Sequence, residues 1–149
     1  HATAIRRCLD FKNVKVISFG IRNLSKEEMN FYNNNRKKIK IFWGSKKNKW
    51  KISEIRKIFK NKNVYITFDV DGFDSSLMPA TGTPEPGGMF WDDVMPILKN
   101  VCSVSNVVGA DINELSPIKN FNSCNFLTAK LAYKIISYVF EFKPKYSNR

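Results

Sequence analysis

Residues 64–70, VYITFDV, form a near-continuous run of apolar and β-favouring side chains interrupted by acid only at the end. This segment restricts the fold more than any other. A run of this length reads as a strand buried on both faces, the habit of parallel sheets flanked by helices. Residues 14–20 (VKVISFG), Ile39–Trp43 and residues 106–112 (NVVGADI) read as further strands. Helical patterns separate them. Ser25 with Glu28 three positions on is a capping-box pattern opening a helix to about Tyr32. Residues 53–59 form a basic amphipathic helix with Ile52, Ile55, Ile58 and Phe59 on one face. Residues 92–101 are helical with Pro96 expected to kink them, and residues 125–140 form a long helix. This alternation, without an internal repeat or second domain, predicts an α/β fold with helices on both faces of a parallel sheet.

Composition bounds the partners. The chain has 149 residues, 43% hydrophobic, enough for one domain with a core. No apolar run approaches the length of a membrane span, so no membrane partner is expected. The net charge of +12 invites a nucleic-acid reading. Residues 36–62 hold twelve basic residues and one acid, Glu54, interspersed with Asn, and Lys outnumbers Arg nineteen to six. Specific phosphate and base readers are usually Arg with aromatics in a recognisable module. The sequence contains no such module, so the basic stretch reads as solvated loops and no nucleic-acid partner is expected. Cys8, Cys102 and Cys124 lack metal or redox spacing and read as free, buried thiols in a reducing, cytoplasmic setting. The first residue is His1 and nothing resembles a signal peptide, so the chain is expected to begin inside a longer one.

The chemistry gathers at the end of the 64–70 strand. Asp69 and Asp71 stand two apart, and residues i and i+2 of a strand point to the same face, so the acids are expected side by side by strand alternation. Adjacent carboxylates repel, and a divalent cation such as magnesium, manganese or calcium resolves the conflict. Asp74 is a third acid. A bare pair of this kind reads equally well as a solvated strand end. The long Pro- and Gly-rich loop 71–89 leaves the strand where open α/β sheets place ligand sites.

Longer strings decide between these readings. Thr67-Phe68-Asp69-Val70-Asp71-Gly72-Phe73-Asp74, followed by Pro79-Ala80-Thr81-Gly82-Thr83-Pro84-Glu85-Pro86-Gly87-Gly88, resembles the signature of the arginase and agmatinase (ureohydrolase) family. Val107-Val108-Gly109-Ala110-Asp111-Ile112-Asn113-Glu114-Leu115-Ser116-Pro117 resembles that family's next strand. His1-Ala2-Thr3-Ala4-Ile5-Arg6-Arg7 and Gly20-Ile21-Arg22 resemble its agmatinase branch. The resemblance spans roughly residues 1–140 and is weakest over 33–62.

The resemblance implies a three-layer α/β/α fold with a mainly parallel sheet, of which residues 1–149 are the C-terminal portion of a single domain whose N-terminal portion is absent. It implies two Mn2+ ions, with Asp69 and Asp71 as ligands, and a bridging hydroxide that attacks a guanidinium carbon. Glu114 would bind the guanidinium, His1 would bind substrate and shuttle a proton, and Asp74, Thr81, Gly82 and Thr83 would shape the loop. The partners implied are a small guanidine substrate and further copies of the chain, as a trimer or hexamer.

Three departures stand out. The family's other four metal ligands, in a single-His motif and an Asp-x-His-x-Asp motif, are not in this sequence, so this chain alone is expected to be inactive, with an exposed sheet edge. A truncated non-catalytic homologue is the alternative. Ser75 stands where the family usually has proline, which is expected to loosen the loop. Asn23-Leu24-Ser25 carries no acid where arginases engage an α-ammonium, which favours a guanidine without an α-amino acid head, such as agmatine; an arginase or another guanidino-compound hydrolase is the alternative.

Overall fold

The computed structural model describes residues 4–143. A short helix α1 (Ala4–Cys8) precedes β1 (Val16–Ile21), α2 (Lys26–Asn34), β2 (Ile39–Trp43) and a 3-10 turn (Gly44–Lys49). Then come α3 (Ile52–Phe59), β3 (Asn63–Asp69), a second 3-10 turn (Val70–Gly72), α4 (Trp91–Val104), β4 (Asn106–Asn113) and α5 (Ser123–Phe142). The expected strands and helices all form, with ends shifted by a few residues. The Ser25 hydroxyl accepts from Glu28 N–H at 3.1 Å while Glu28 Oε2 accepts from Ser25 N–H at 2.8 Å, so the capping box closes both ways. Pro96 lies inside α4 without ending it.

β1 pairs with β2, and β3 with β4, each parallel. Ile66 and Phe68 of β3 join Ile55 of α3, Val94, Leu98 and Val101 of α4, and Leu131 and Ile135 of α5 in one core. Phe19 stacks on Phe42 with centroids 4.6 Å apart, and Trp50 meets both edge-on. This aromatic group joins β1 and β2 to the segment entering α3.

Two expectations are corrected. β3 is not buried on both faces: Tyr65, Thr67 and Asp69 are exposed, Tyr65 by 60%, while Ile66 and Phe68 are buried. Apolar character on both sides marked a strand built for two covered faces, but the described helices cover one. Cys102 and Cys124 are buried free thiols as expected, whereas Cys8 is exposed because α1 buries none of its residues.

The sheet also divides. Among the described residues, no strand pairing joins β1 to β3. A cavity of about 750 Å3 separates them, lined by consecutive residues 16–21 and 64–69. One face of a strand would contribute every second residue. Consecutive residues mean that the cavity is bounded by two unpaired strand edges, with Val94, Ile97 and Val101 of α4 also lining it. No described helix is long and apolar enough to cross a membrane.

Candidate active site

β3 ends at Asp69, and Val70 turns inward, fully buried, to start the 3-10 turn. Asp71 therefore comes beside Asp69 through a turn, not through the strand alternation expected from spacing two. Asp71 N–H points to Asp69 Oδ1 at 3.4 Å. Desolvation, followed by the charge of Asp71 and more weakly that of Glu114, pushes Asp69 up to about 6. A cluster of acids in this state favours either a proton or a cation.

Glu114 follows β4 directly. Asp69 pairs in register with Asn113, so the parallel ladder carries Glu114 to the same end of the sheet. Its backbone is left-handed, φ 66°, an uncommon state for a residue with a Cβ and one that concentrates at functional sites.

Loop 71–89 returns between the acids. Thr81 bridges Leu115, and Ser116 N–H donates to Ala80 O at 2.9 Å. A Cβ built on Gly82 would lie 3.9 Å from Glu114 Oε2, so the loop backbone runs close beside that carboxylate. Thr83 Oγ1 donates to Asp71 Oδ2 at 3.0 Å. The Thr81 hydroxyl is buried and finds no hydrogen-bond partner among the described residues.

Asp74 serves the loop itself. It accepts from the Ser76 backbone and hydroxyl, from Gly87 N–H at 2.7 Å and from Gly88 N–H at 3.0 Å. The Ser76 bonds lead in holding its carboxyl down to about 2. A Cβ on Gly88 would come within 2.5 Å of the Phe73 and Asp74 backbone, so only glycine permits this approach. Ser75 does not open the turn, because Leu77 N–H and Met78 N–H both donate to Asp74 O at 2.9 Å. Asp111, in register with Thr67 two residues before Asp69, is occupied by Thr67 at 2.7 Å and Asn113 at 2.6 Å.

The structure thus brings Asp69, Asp71, Thr81, Gly82, Thr83 and Glu114 together, while Asp74 bonds within the loop. His1 lies outside the described residues. Sequence reasoning assigned no role to Arg22, whose guanidinium joins β1 to the loop. It donates to Asp71 O and Glu85 O, both at 2.7 Å, to Pro86 O at 3.1 Å, and at 3.4 Å to Gly20 O and Phe73 O. The available signal was an Arg directly after an apolar strand in a chain that otherwise prefers Lys.

Acids at the C-terminal ends of two parallel strands, closed over by a Pro- and Gly-rich loop, match a known family. The model of the Arginase family matches residues 1–140, and the chain belongs to the arginase family. It is 34% identical over 148 residues to the N(1)-aminopropylagmatine ureohydrolase of Synechocystis, covering 97% of this chain and 47% of that protein. The agmatinase of Pyrococcus horikoshii is 33% identical over 138 residues, covering 91% and 47%. Among solved structures, the agmatine ureohydrolase of Thermoplasma volcanium superposes with a TM-score of 0.80 at 32% identity, over 95% of this chain and 48% of that one. The chain spans about half the length of the curated relatives it matches. Its fold is accordingly a partial α/β domain of the arginase type.

Two carboxylates side by side are the right chemical type for a hard divalent cation. Among the described residues, however, no group of three or more His, Cys, Asp or Glu forms a complete metal site. The pair fits as part of a larger donor set.

Proposed function

We propose that this chain is the C-terminal portion of a single ureohydrolase domain, and that the intact protein is an agmatinase-like hydrolase converting agmatine to urea and putrescine. The observation that carries the proposal is the convergence of Asp69, Asp71 and Glu114 at the ends of β3 and β4, with Gly82 and Thr83 between them. The unpaired edges of β1 and β3 support the domain reading, since a strand from the rest of the domain would pair with both.

Asp69 and Asp71 would hold two manganese ions in part, with the remaining donors outside this chain. Such ions lower the pKa of water enough to make a nucleophile available at neutral pH. Glu114 accepts two parallel N–H bonds from the planar guanidinium and holds its carbon toward the two aspartates. Thr83 orients Asp71, and Gly82 leaves room for the substrate beside Glu114. His1 donates the proton that the leaving amine requires. Asn23, Leu24 and Ser25 offer no carboxylate to an α-ammonium, which favours agmatine over arginine. The similar proteins, an N(1)-aminopropylagmatine ureohydrolase and an agmatinase, support that preference. A cytoplasmic homo-oligomer, trimer or hexamer, completes the proposal.

The test is urea release by the intact protein with Mn2+, comparing agmatine with arginine. Agmatine is expected to be the better substrate, and this chain alone is expected to release no urea. Asp69→Asn should lower manganese content, whereas Glu114→Ala should spare the metal and abolish turnover. Equal metal loss in the two variants would overturn the division of roles.

A further inference from the structure

Arg22 spends its charge on the backbone. Its guanidinium reaches five carbonyls in three stretches of chain: Gly20 in β1, Asp71 and Phe73 after β3, and Glu85 and Pro86 in the returning loop. Among the described residues no carboxylate pairs with it. A guanidinium offers five N–H donors in a fixed planar fork, whereas a lysine ammonium offers three about one point. Only the fork spans these separate acceptors.

The segments it joins carry the two sides of the site. Asp71 stands on the metal side. Glu85 and Pro86 follow Gly82 and Thr83, which lie beside Glu114 and Asp71. Asp74 does the complementary work on the next two residues, accepting from Gly87 N–H and Gly88 N–H. Residues 85–88 are thus held at their carbonyls by a cation and at their amides by an anion. Charge-assisted bonds of this kind are roughly twice as strong as neutral ones.

We propose that Arg22 is a positioning residue for the reaction: by tying the backbone of Asp71 to the 85–86 segment, it sets the spacing between the carboxylate that holds metal and the loop that borders Glu114. This rests on the roles proposed above for Asp71 and Glu114. All five of the Arg22 side-chain hydrogen bonds go to backbone carbonyls, so its role is indirect. It acts through the Thr83–Asp71 hydrogen bond, both ends of which stand on segments that Arg22 holds.

The experiment compares the intact wild-type protein with Arg22→Lys, Thr83→Val and the double variant. Three quantities are read: Mn2+ affinity by calorimetry, amide hydrogen exchange over residues 80–88, and kcat and KM for agmatine. Arg22→Lys is expected to weaken Mn2+ binding by ~10- to ~100-fold, the range for groups that orient metal ligands. It should speed exchange of the loop by about tenfold or more, as the loss of hydrogen bonds to a charged group implies. It should also lower kcat more than it raises KM. The double variant should weaken Mn2+ binding by less than the product of the two single effects, because both act on one hydrogen bond. Should the lysine variant fail to fold, Arg22→Gln retains two N–H donors and is read the same way. Wild-type Mn2+ affinity and loop exchange in the Arg22 variant, or strictly multiplicative effects in the double variant, would overturn the proposal. If the wild type releases no urea, the functional reading fails, while Mn2+ binding and exchange still judge Arg22.

Discussion

The hydroxyl of Thr83 donates to the Asp71 carboxylate at 3.0 Å, closing a twelve-residue span of loop onto the acid at its start. One oxygen of Asp71 is thereby fixed in direction. Thr83→Val keeps the shape and removes the donor. Mn2+ affinity of the intact protein should fall about tenfold by calorimetry. The pair is exposed, so the metal-free stability should stay within about 0.5 kcal/mol of wild type.

Asp69 gives a pH signature in the metal-free protein. Its carboxyl is pushed up to about 6 from an ordinary 3.8, so the folded state holds this proton more tightly than the unfolded chain does. Stability of the metal-free protein should therefore decline as pH rises through the window from about 4 to about 6, then level off. Asp69→Asn should abolish that decline. Melting temperatures recorded in chelator across this window check it, and an identical profile in the variant would refute the assignment.

Asp74 has the opposite sign. Its carboxyl is held down to about 2, chiefly by Ser76 and then by Gly87 and Gly88. The loop stabilisation it supplies is complete above an ordinary carboxylate value near 4 and is lost as pH falls toward about 2. Asp74→Asn cannot reproduce the set of charge-assisted bonds and should destabilise the fold by about 1–3 kcal/mol in urea denaturation. It should also release the amides of Gly87 and Gly88 to exchange.

Gly82 separates folding from catalysis. An added Cβ would lie 3.9 Å from Glu114 Oε2, an ordinary contact, so Gly82→Ala should fold with an unchanged melting temperature. On the role proposed for Glu114, the same methyl would stand in the path of the guanidinium. KM for agmatine should rise by ~10-fold or more, the usual effect of one methyl group in a shaped site. Steady-state kinetics with the intact protein decide this.

Much of the candidate site was legible before the structure. Asp69, Asp71 and Glu114 stand at strand ends because apolar runs stop at them, and run length and residue type are local properties. The capping box of Ser25 and Glu28 and the amphipathic face of Ile52, Ile55, Ile58 and Phe59 were readable for the same reason. Arg22 was not, because its acceptors are carbonyls of distant residues, and a backbone carbonyl leaves no mark in the sequence. The uncovered face of β3 was also hidden. Tyr65 and Ile66 look alike in an apolar run, and only the packing of the described helices shows which of them is covered.

The sequence by itself determined the order of strands and helices, the loop composition and the identities of the acids, and through its long motifs the arginase family. These follow from local propensity and from residue chemistry at fixed spacing. Tertiary structure decided which groups meet. The β3–β4 register sets Asp69 beside Asn113 and brings Glu114 to the same end, while a 3-10 turn, not strand alternation, places Asp71. The fork of Arg22 and the carboxylate of Asp74 hold the loop between them. The division of the sheet into two pairs is likewise tertiary, since strand edges pair only with what lies next to them in space.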